Sequence, residues 1–402
     1  MAEFTASLNG ILWSTPVIYI LLAVGLIFSI LTRFLKVRHI KEMILLMFQG
    51  KSSEAGVSSF QALSIALSGR VGTGNIAGVA TAIAFGGPGA VFWMWVIAFI
   101  GSASAFVEST LAQIYKVKEN GQYRGGPAYY IEKGIGIKWF TVLFAFAALV
   151  AMAVLMPGVQ SNSIAESVHN AFGINPIFTG CFLVLLLGFI IFGGVKRIAQ
   201  AAQMIVPFMA FGYILLSLVI ILMNITELPA VIALIFKSAF ALDAAFGGLI
   251  GMAISWGVKR GIYSNEAGQG TGAHPAAAAE VSHPAKQGLV QAFSVYIDTL
   301  FVCSATAFMI LFTGMFNTQT EDGSYIGVEA GPGFTQAAID QVMPGFGAGF
   351  VAVALFFFAF TTIMAYYYIA ETNIVYLTGR KKQMGDARLK SGHSYRNVLR
   401  CC

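Results

Sequence analysis

Long runs of apolar residues alternate with short polar segments along the chain up to about residue 378. Each run reaches about 20 residues, the length that a helix needs to cross the hydrocarbon core of a bilayer. The runs are continuous, whereas the strands of a membrane barrel alternate apolar and polar residues. The pattern predicts about nine spanning helices, at residues 15–36, 63–85, 89–116, 139–170, 176–193, 199–222, 245–268, 287–316 and 347–378.

The composition supports this class of all-α polytopic membrane protein. Of the 402 residues, 57% are hydrophobic and 10% are charged. The formal net charge of +6 comes from residues 379–402, which contain seven Lys or Arg residues and one Asp. A basic terminal segment is typical of a cytoplasmic flank beside anionic lipid. The lipid bilayer is therefore an expected partner, and nucleic acid is not.

Basic residues occur mainly in the polar segments after the first, third and fifth predicted spans. The opposite segments hold few, and residues 317–346 contain none. Short loops rich in Lys and Arg usually stay on the cytoplasmic side. The distribution predicts a multi-pass protein of the cell membrane, with its N-terminus outside and its basic tail in the cytoplasm.

A polar, glycine-rich sequence interrupts the second predicted span. Arg70 is followed by Gly72-Thr73-Gly74-Asn75 within an otherwise apolar run. Irregular backbone survives at membrane depth only where protein or a water-filled cavity surrounds it, and the backbone groups freed by a break can bind a charged substrate and an ion. The sequence therefore predicts a binding site here. Close packing of the small residues against a neighbouring helix is the alternative.

A second irregular segment is expected within span 245–268. Two interrupted helices in corresponding positions of two halves indicate the central site of a transporter. A glycine-rich packing helix that ends in a basic flank is the alternative. The residues that suggest the second break are Gly247, Gly248, Gly251 and Gly257, followed by Lys259, Arg260 and Ser264-Asn265-Glu266.

Other polar side chains also lie at membrane depth. Thr361 and Thr362 place adjacent hydroxyls in the last span, which suits a small oxygen-only cation site, although membrane threonines often bond to their own helix. Gln160 follows a Pro-Gly pair, so its amide can face a substrate or serve interhelical packing. Ionisable residues in or near the spans receive no role: Glu108, Asp298 and Glu371.

Residues 86–95 read GGPGAVFWMW, which resembles the signature of the sodium:alanine symporter family, also called alanine or glycine:cation symporters. The resemblance extends from about residue 10 to about residue 378. This family is similar in fold to LeuT-like amino-acid transporters, whose first core helix carries a V-G-x-G-N break like residues 71–75. The resemblance implies a LeuT-like inverted-repeat bundle with one extra N-terminal helix, in a single transmembrane domain at residues 1–378.

The resemblance also implies the ligands. Sodium is the coupling ion, a small neutral amino acid is the substrate, and no organic cofactor is expected. The residues implied for the substrate are Gly72, Thr73, Gly74, Asn75, Gln160 and Tyr366. The residues implied for sodium are Ser68 and Val71 through their carbonyl oxygens, and Thr361 and Thr362 through their hydroxyls.

Two features depart from the family pattern. Ala365-Tyr366 stands where many members have Gly-Trp, so the choice between alanine and glycine stays open. The chain also supplies fewer helices than a LeuT-like core needs, and it turns basic after Leu377. The first repeat is expected at about residues 63–222 and a truncated second repeat at about 245–378. For the tail at 379–402, a frameshift is preferred over a natural short form.

These features predict a sodium-coupled symporter that brings alanine or glycine into the cell by alternating access around two broken helices. A truncated fragment that does not transport, and a passive channel, are the alternatives. An enzyme is not expected, because the sequence lacks the HExxH and GxSxG motifs, and it also lacks the GxxxxGK[ST] motif of ATP-driven proteins. The sequence does not decide whether sodium or a proton is the coupling ion, and it does not give the oligomeric state.

Overall fold

The computed structural model describes residues 2–119, 121–240, 250–314 and 330–398. This part of the chain is mostly helical, in agreement with the predicted all-α class. Two short strands, β1 (Val117–Glu119) and β2 (Gln122–Arg124), form an antiparallel hairpin. The helices are α1 (Ala2–Leu12), α2 (Thr15–Leu31), α3 (Leu35–Arg38), α4 (Ile40–Met47), α5 (Ser59–Arg70), α6 (Val79–Gly86), α7 (Gly89–Ile114), α8 (Pro127–Tyr130), α9 (Lys138–Val150), α10 (Met156–Phe172), α11 (Pro176–Ile191), α12 (Gly194–Met223), α13 (Leu228–Ala239), α14 (Ile250–Asn265), α15 (Ala273–Ala278), α16 (Pro284–Tyr296), α17 (Ser304–Leu311), α18 (Pro332–Val342) and α19 (Gly347–Val398). Wider π-helical turns occur at Gly74–Gly78, Ile131–Ile135, Ala151–Leu155 and Ile297–Cys303.

Six helical stretches of the described chain are long and apolar enough to cross a membrane. They are Ser7–Leu31, Gly89–Ile114, Lys138–Phe172, Gly194–Met223, Pro284–Leu311 and Gly347–Gly379. Each overlaps a span predicted from the sequence, and the shorter apolar stretches Gly74–Gly86 and Pro176–Ile191 overlap two more. The chain is a multi-pass α-helical membrane protein, while the number of nine spans stays a prediction.

The structure corrects the prediction in two segments expected to be loops. α13 occupies most of the segment at 224–242, and α18 lies within 317–346, of which residues 317–329 are outside the described chain. These helices are 12 and 11 residues long, too short to stand out in a search for apolar runs of about 20 residues. Each has a proline in its first turn, where the fixed φ suits a helix start.

α7 is a scaffold against which α2, α14, α15 and α16 pack. Small residues let α14 approach it closely, since a Cβ placed on Gly257 would lie 2.5 Å from the Ala90 carbonyl oxygen. The end of α13 docks on the same helix, where the Gly89 N–H donates to Ser238 Oγ at 2.9 Å. α7 therefore fixes the positions of several elements of the second half of the chain.

α5 lies in the interior of the bundle. It contacts α12, α16 and α19, and every residue from 62 to 70 is buried. A capping box starts this helix: Ser58 Oγ accepts the Gln61 N–H at 3.2 Å, and Gln61 Oε1 accepts the Ser58 N–H at 3.0 Å. Because the helix is buried, its C-terminal end, where the break is expected, lies deep inside the protein.

α19 packs along α5, α9, α10 and α12, which brings its Thr362 and Tyr366 to the interior. As one helix it runs past residue 378, the predicted boundary between the transmembrane domain and the basic tail. The division of the chain at this residue, and the two repeats, stay predictions.

We expect Gly257→Ala to lower the melting temperature, because the new methyl group would press on the backbone of α7. Overpacking of this kind costs about 1–3 kcal/mol. Gly251→Ala, on the same helix, is the matched control, since nothing lies within 4 Å of its Cβ position. Thermal unfolding in detergent micelles measures the difference. Equal melting temperatures for the two variants would contradict the close approach of α14 to α7.

Candidate functional site

The helix break predicted at residues 72–75 is present. α5 ends at Arg70, and Val71 leaves the helix with φ −81° and ψ 87°. The chain resumes as the π-helical turn Gly74–Gly78 and continues into α6. The Gly72 N–H donates to Asn75 Oδ1 at 2.8 Å, so the asparagine closes the break with its own side chain.

Gln160 meets this first break from α10. Its Oε1 accepts the backbone N–H of Thr73 at 3.2 Å, and its side chain is 2% exposed. The π-helical turn Ala151–Leu155 directly precedes α10, and such turns are frequent at functional sites. Thr73 and Gln160, both predicted to meet the substrate, are therefore in direct contact.

Thr362 meets the first break from α19. Its Oγ1 lies 2.8 Å from the Ser68 carbonyl oxygen, 3.4 Å from that of Val71 and 2.9 Å from that of Phe358 in its own helix. The hydroxyl of Thr361 bonds to the carbonyls of Phe357 and Phe358 in its own helix, at 3.0 and 2.9 Å, and it has no contact to Ser68 or Val71 among the hydrogen bonds of the described chain. The structure thus brings three of the four predicted sodium residues together, and it places Thr361 beside them with its hydroxyl turned to its own helix.

The glycines of the first break differ in how much space surrounds them. A Cβ on Gly72 would overlap Thr362 Oγ1 and lie 3.1 Å from Gln160 Oε1. One on Gly74 would lie 3.0 Å from Ser264 Cα, whereas the nearest atom to one on Gly78 is 3.8 Å away. Gly72 is therefore required where α10 and α19 converge on the break.

Asn75 also links the break to Asp298, a residue to which sequence reasoning gave no role. Asn75 Nδ2 donates to Asp298 Oδ1 at 2.7 Å, and Ser264 Oγ donates to Oδ2 at 3.0 Å. Thr299 Oγ1 donates to the same Oδ2 at 2.7 Å. Asp298 lies in the π-helical turn Ile297–Cys303 and is completely buried. Its carboxylate therefore connects the first break to the end of α14.

The second break begins at Glu266, near the end of the predicted span 245–268, and it extends past that span to residue 272. Residues 266–272, named here the 266–272 link, separate α14 from α15, with φ values of +53° at Glu266, +83° at Gly268 and +80° at Gly270. Gly247 and Gly248 lie outside the described residues, and α14 continues unbroken through the two other predicted glycines, Gly251 and Gly257. Glycine supplies positive φ at little cost, and the signal that was missed is the alternating GQGTG sequence.

Tyr366 reaches the second break. Its hydroxyl donates to Glu266 Oε1 at 3.2 Å. The other carboxylate oxygen of Glu266 accepts the Thr271 hydroxyl at 2.7 Å. Of the predicted substrate residues, Gln160 therefore bonds to the first break and Tyr366 to the second, and both side chains are buried.

A small cavity of about 10 Å³ lies between α5, the 266–272 link and α19. Gly69, Glu266 and Ala365 are among the residues that line it. This volume is about that of one water molecule, so this cavity is too small for an amino acid.

Two broken helices that meet in the interior of a bundle are typical of secondary transporters. Comparison with known proteins identifies the group. The profile of the sodium:alanine symporter family matches residues 1–390. The chain therefore belongs to the sodium:alanine symporter family.

Curated relatives support this assignment. YrbD of Bacillus subtilis (strain 168), which has a provisional name as a sodium/proton-dependent alanine carrier protein, is 84% identical over 396 residues, covering 97% of this chain and 82% of the relative. The sodium/proton-dependent alanine carrier protein of Bacillus sp. (strain PS3) is 59% identical, covering 85% and 78%. The sodium/alanine symporter AgcS of Methanococcus maripaludis is 41% identical, covering 93% and 83%. The family consists of transporters, so this chain is a transport protein and not an enzyme.

We expect Gly72→Ala to abolish ligand binding at the first break, because its methyl group would displace the Thr362 hydroxyl and crowd Gln160. Gly78→Ala, in the same segment, is the control, since its Cβ would have ordinary contact distances. Equilibrium binding of labelled alanine to the purified variants, with sodium present, measures the effect. Wild-type binding by Gly72→Ala would show that the three elements do not converge as described.

Proposed function

We propose that this chain is a symporter that couples the inward movement of sodium to the uptake of alanine by alternating access. The observation that carries the proposal is the position of Thr362 and Gln160 on either side of the first break. Thr362 contacts the carbonyl of Ser68, and Gln160 contacts the amide of Thr73. The break therefore offers oxygen ligands to a cation and N–H donors to an anion within a few residues. The family of the chain supports both ligands.

The proposed sodium site consists of the Ser68 and Val71 carbonyls and the Thr362 hydroxyl. These groups fit the ion, because a hard cation binds oxygen ligands and all three present oxygen. A bound ion would supply positive charge beside the break. Thr361 is the fourth proposed ligand, and it would join only after its side chain turns away from the carbonyls of Phe357 and Phe358.

The proposed substrate site is formed by the 72–75 segment, Gln160 and Tyr366. The amides of Thr73 and Gly74 would receive the substrate carboxylate, with Gln160 released from Thr73 to bind the substrate instead. Asn75 would keep the break open through its bond to the Gly72 N–H. Tyr366 is buried and held by Glu266, so it would leave room only for a small side chain. Alanine is the substrate we propose, and glycine is the competitor to test against it.

Two polar contacts of α19 lie on the C-terminal side of Thr362. They suit a transporter whose binding site is closed toward one side of the membrane. Arg124 of the hairpin pairs with Glu371 at 2.8 Å, and the Tyr376 hydroxyl donates to Glu132 at 2.5 Å. Burial alone would lower the pKa of Arg124, but the hydrogen bond and the charge of Glu371 raise it, so the guanidinium stays charged. We place these contacts on the cytoplasmic side of the cell membrane, with the N-terminus outside. Their release would open the site inward.

The two alternatives fit these observations less well. An open channel needs a continuous aqueous path, whereas the cavity beside the breaks has room for about one water molecule. In a non-transporting fragment, the partners of the breaks would be incomplete. In the described chain, α5, α10, α14 and α19 all contribute side chains or backbone to the site. A LeuT-like arrangement of two inverted repeats remains our proposal for how these elements move.

Counterflow in proteoliposomes tests the function. Vesicles loaded with unlabelled alanine should accumulate labelled alanine from outside when sodium is present on both sides, and a large amino acid such as leucine should not compete. Replacement of sodium by potassium should remove the signal. Equal accumulation in potassium would overturn the sodium coupling, and equal entry of leucine would favour a channel.

We expect Thr362→Ala to raise the sodium concentration for half-maximal uptake by about tenfold, because loss of one ligand worth about 1.4 kcal/mol changes affinity by that factor. Thr361→Ala, which removes the fourth proposed ligand, should raise it by a smaller factor, because that hydroxyl bonds to its own helix. Thr372→Ala is the matched control and should leave it unchanged, since the Thr372 hydroxyl donates to the Tyr368 carbonyl of the same helix. Sodium titration of alanine uptake measures all three. An unchanged sodium dependence in Thr362→Ala would remove this residue from the ion site, and a large effect of Thr361→Ala alone would exchange their roles.

A further inference from the structure

A cavity of about 290 Å³ lies between α2, α7, α14 and the 266–272 link, separate from the small cavity described above. Its walls are mainly apolar and include Leu21, Phe28 and Val107. Glu108 of α7 also lines it. An ionisable residue in the wall of an otherwise apolar cavity inside a membrane protein is a candidate for function.

The Glu108 carboxylate is only partly satisfied. Its Oε2 accepts the Gly270 N–H of the 266–272 link at 2.9 Å, and the residue is 6% exposed. Its Oε1 is buried and has no hydrogen-bond partner in the described chain. Burying an unpaired carboxylate is costly, and such a group neutralises its charge when it can. The geometry therefore provides a free oxygen that can take up a proton.

The charged and titratable groups around Glu108 come from four neighbouring elements. Arg70 projects from α5 but forms no ion pair with Glu108, and two of its nitrogens lack partners in the described chain. Glu266 faces Glu108 from the 266–272 link, and Tyr130 does so from α8. His274 of α15 has its ring nitrogens directed to Gly270 O and Asn373. The described residues of α2 and α14 that line this cavity are apolar: Leu21, Val24, Phe28 and Ile262.

We propose that Glu108, in the wall of this cavity, is a proton-exchange site whose protonation controls how firmly the 266–272 link is held to α7. A hydronium ion would give its proton to Oε1, forming an O–H bond and leaving water, and release would reverse this step. The ionised carboxylate holds the Gly270 N–H in a charge-assisted hydrogen bond, and the neutral form holds it more weakly. Proton binding thus loosens the second break.

A proton suits this position better than a metal ion. A sodium or calcium ion needs several oxygen ligands. Besides Glu108, only Ser104 and Tyr130 of the described residues that line this cavity carry a side-chain oxygen. A proton needs one acceptor. The inference rests on the proposed symport function, and what it adds is the assignment of a proton site to one residue, Glu108, away from the first break.

The test compares wild-type protein with Glu108→Gln, Glu108→Asp and Glu227→Gln, the last being an exposed glutamate outside the site. Alanine uptake into proteoliposomes is measured over a pH series at a fixed sodium gradient. A rate that follows one protonation changes by up to about tenfold per pH unit. We expect this dependence in the wild type and in Glu227→Gln, a shifted profile in Glu108→Asp, and a flat profile in Glu108→Gln.

Infrared difference spectra of the purified proteins, recorded between two pH values, give a readout that needs no transport. The carbonyl band of a protonated carboxylic acid should be present in the wild type and lost in Glu108→Gln. An unchanged band and an unchanged pH profile in Glu108→Gln would overturn the proposal. If the wild type shows the band but no alanine uptake, the symport function fails while the proton site stands. If Glu108→Gln does not fold, Glu108→Asp provides the test. The proposal would be overturned if its pH profile of uptake and its carboxylic-acid band were both identical to those of the wild type.

Discussion

The structure depends on one constraint: backbone groups freed by a helix break inside a membrane protein must be paired with other protein groups or with a ligand. At the first break, Asn75 holds the Gly72 N–H, Gln160 holds the Thr73 N–H, and Thr362 lies on a carbonyl of α5. These partners come from the break itself, from α10 and from α19. A ligand that replaces any of them changes the contact between separate helices, which is how binding at one point can move the bundle.

The second break is held differently. Its backbone turns through three residues of positive φ, Glu266, Gly268 and Gly270. The carboxylates of Glu108 and Glu266 accept hydrogen bonds from it, whereas at the first break side-chain amides do so. Hydrogen bonds from the first break lead from Asn75 through Asp298 to Ser264, two residues before the second break, and Tyr366 of α19 bonds to Glu266 in the second break. Because these groups are buried in a medium of low dielectric constant, each bond is costly to leave unmade. The two breaks are therefore coupled, and the coupling does not require a rigid connection through the backbone.

Sequence reasoning located the first break because polar glycine-rich residues interrupt an apolar run, a signal that needs no tertiary information. It could not separate Thr361 from Thr362, since neighbouring side chains point about 100° apart on a helix and the rotation of α19 is set by packing. It began the second break too early, because Gly251 and Gly257 resemble a break in composition, although α14 is continuous there and Gly257 serves close packing on α7. The short helix α13 and the role of Glu108 depend on contacts far apart in the chain, which no local pattern shows.

The central claim is that sodium and alanine bind at the two faces of one helix break. Equilibrium binding of labelled alanine to the purified protein, measured at increasing sodium concentration, and of sodium at increasing alanine concentration, tests it most directly. Thermodynamic linkage requires each ligand to raise the affinity of the other by the same factor. We predict that both affinities rise together. Alanine binding that is equally tight with and without sodium would contradict the account.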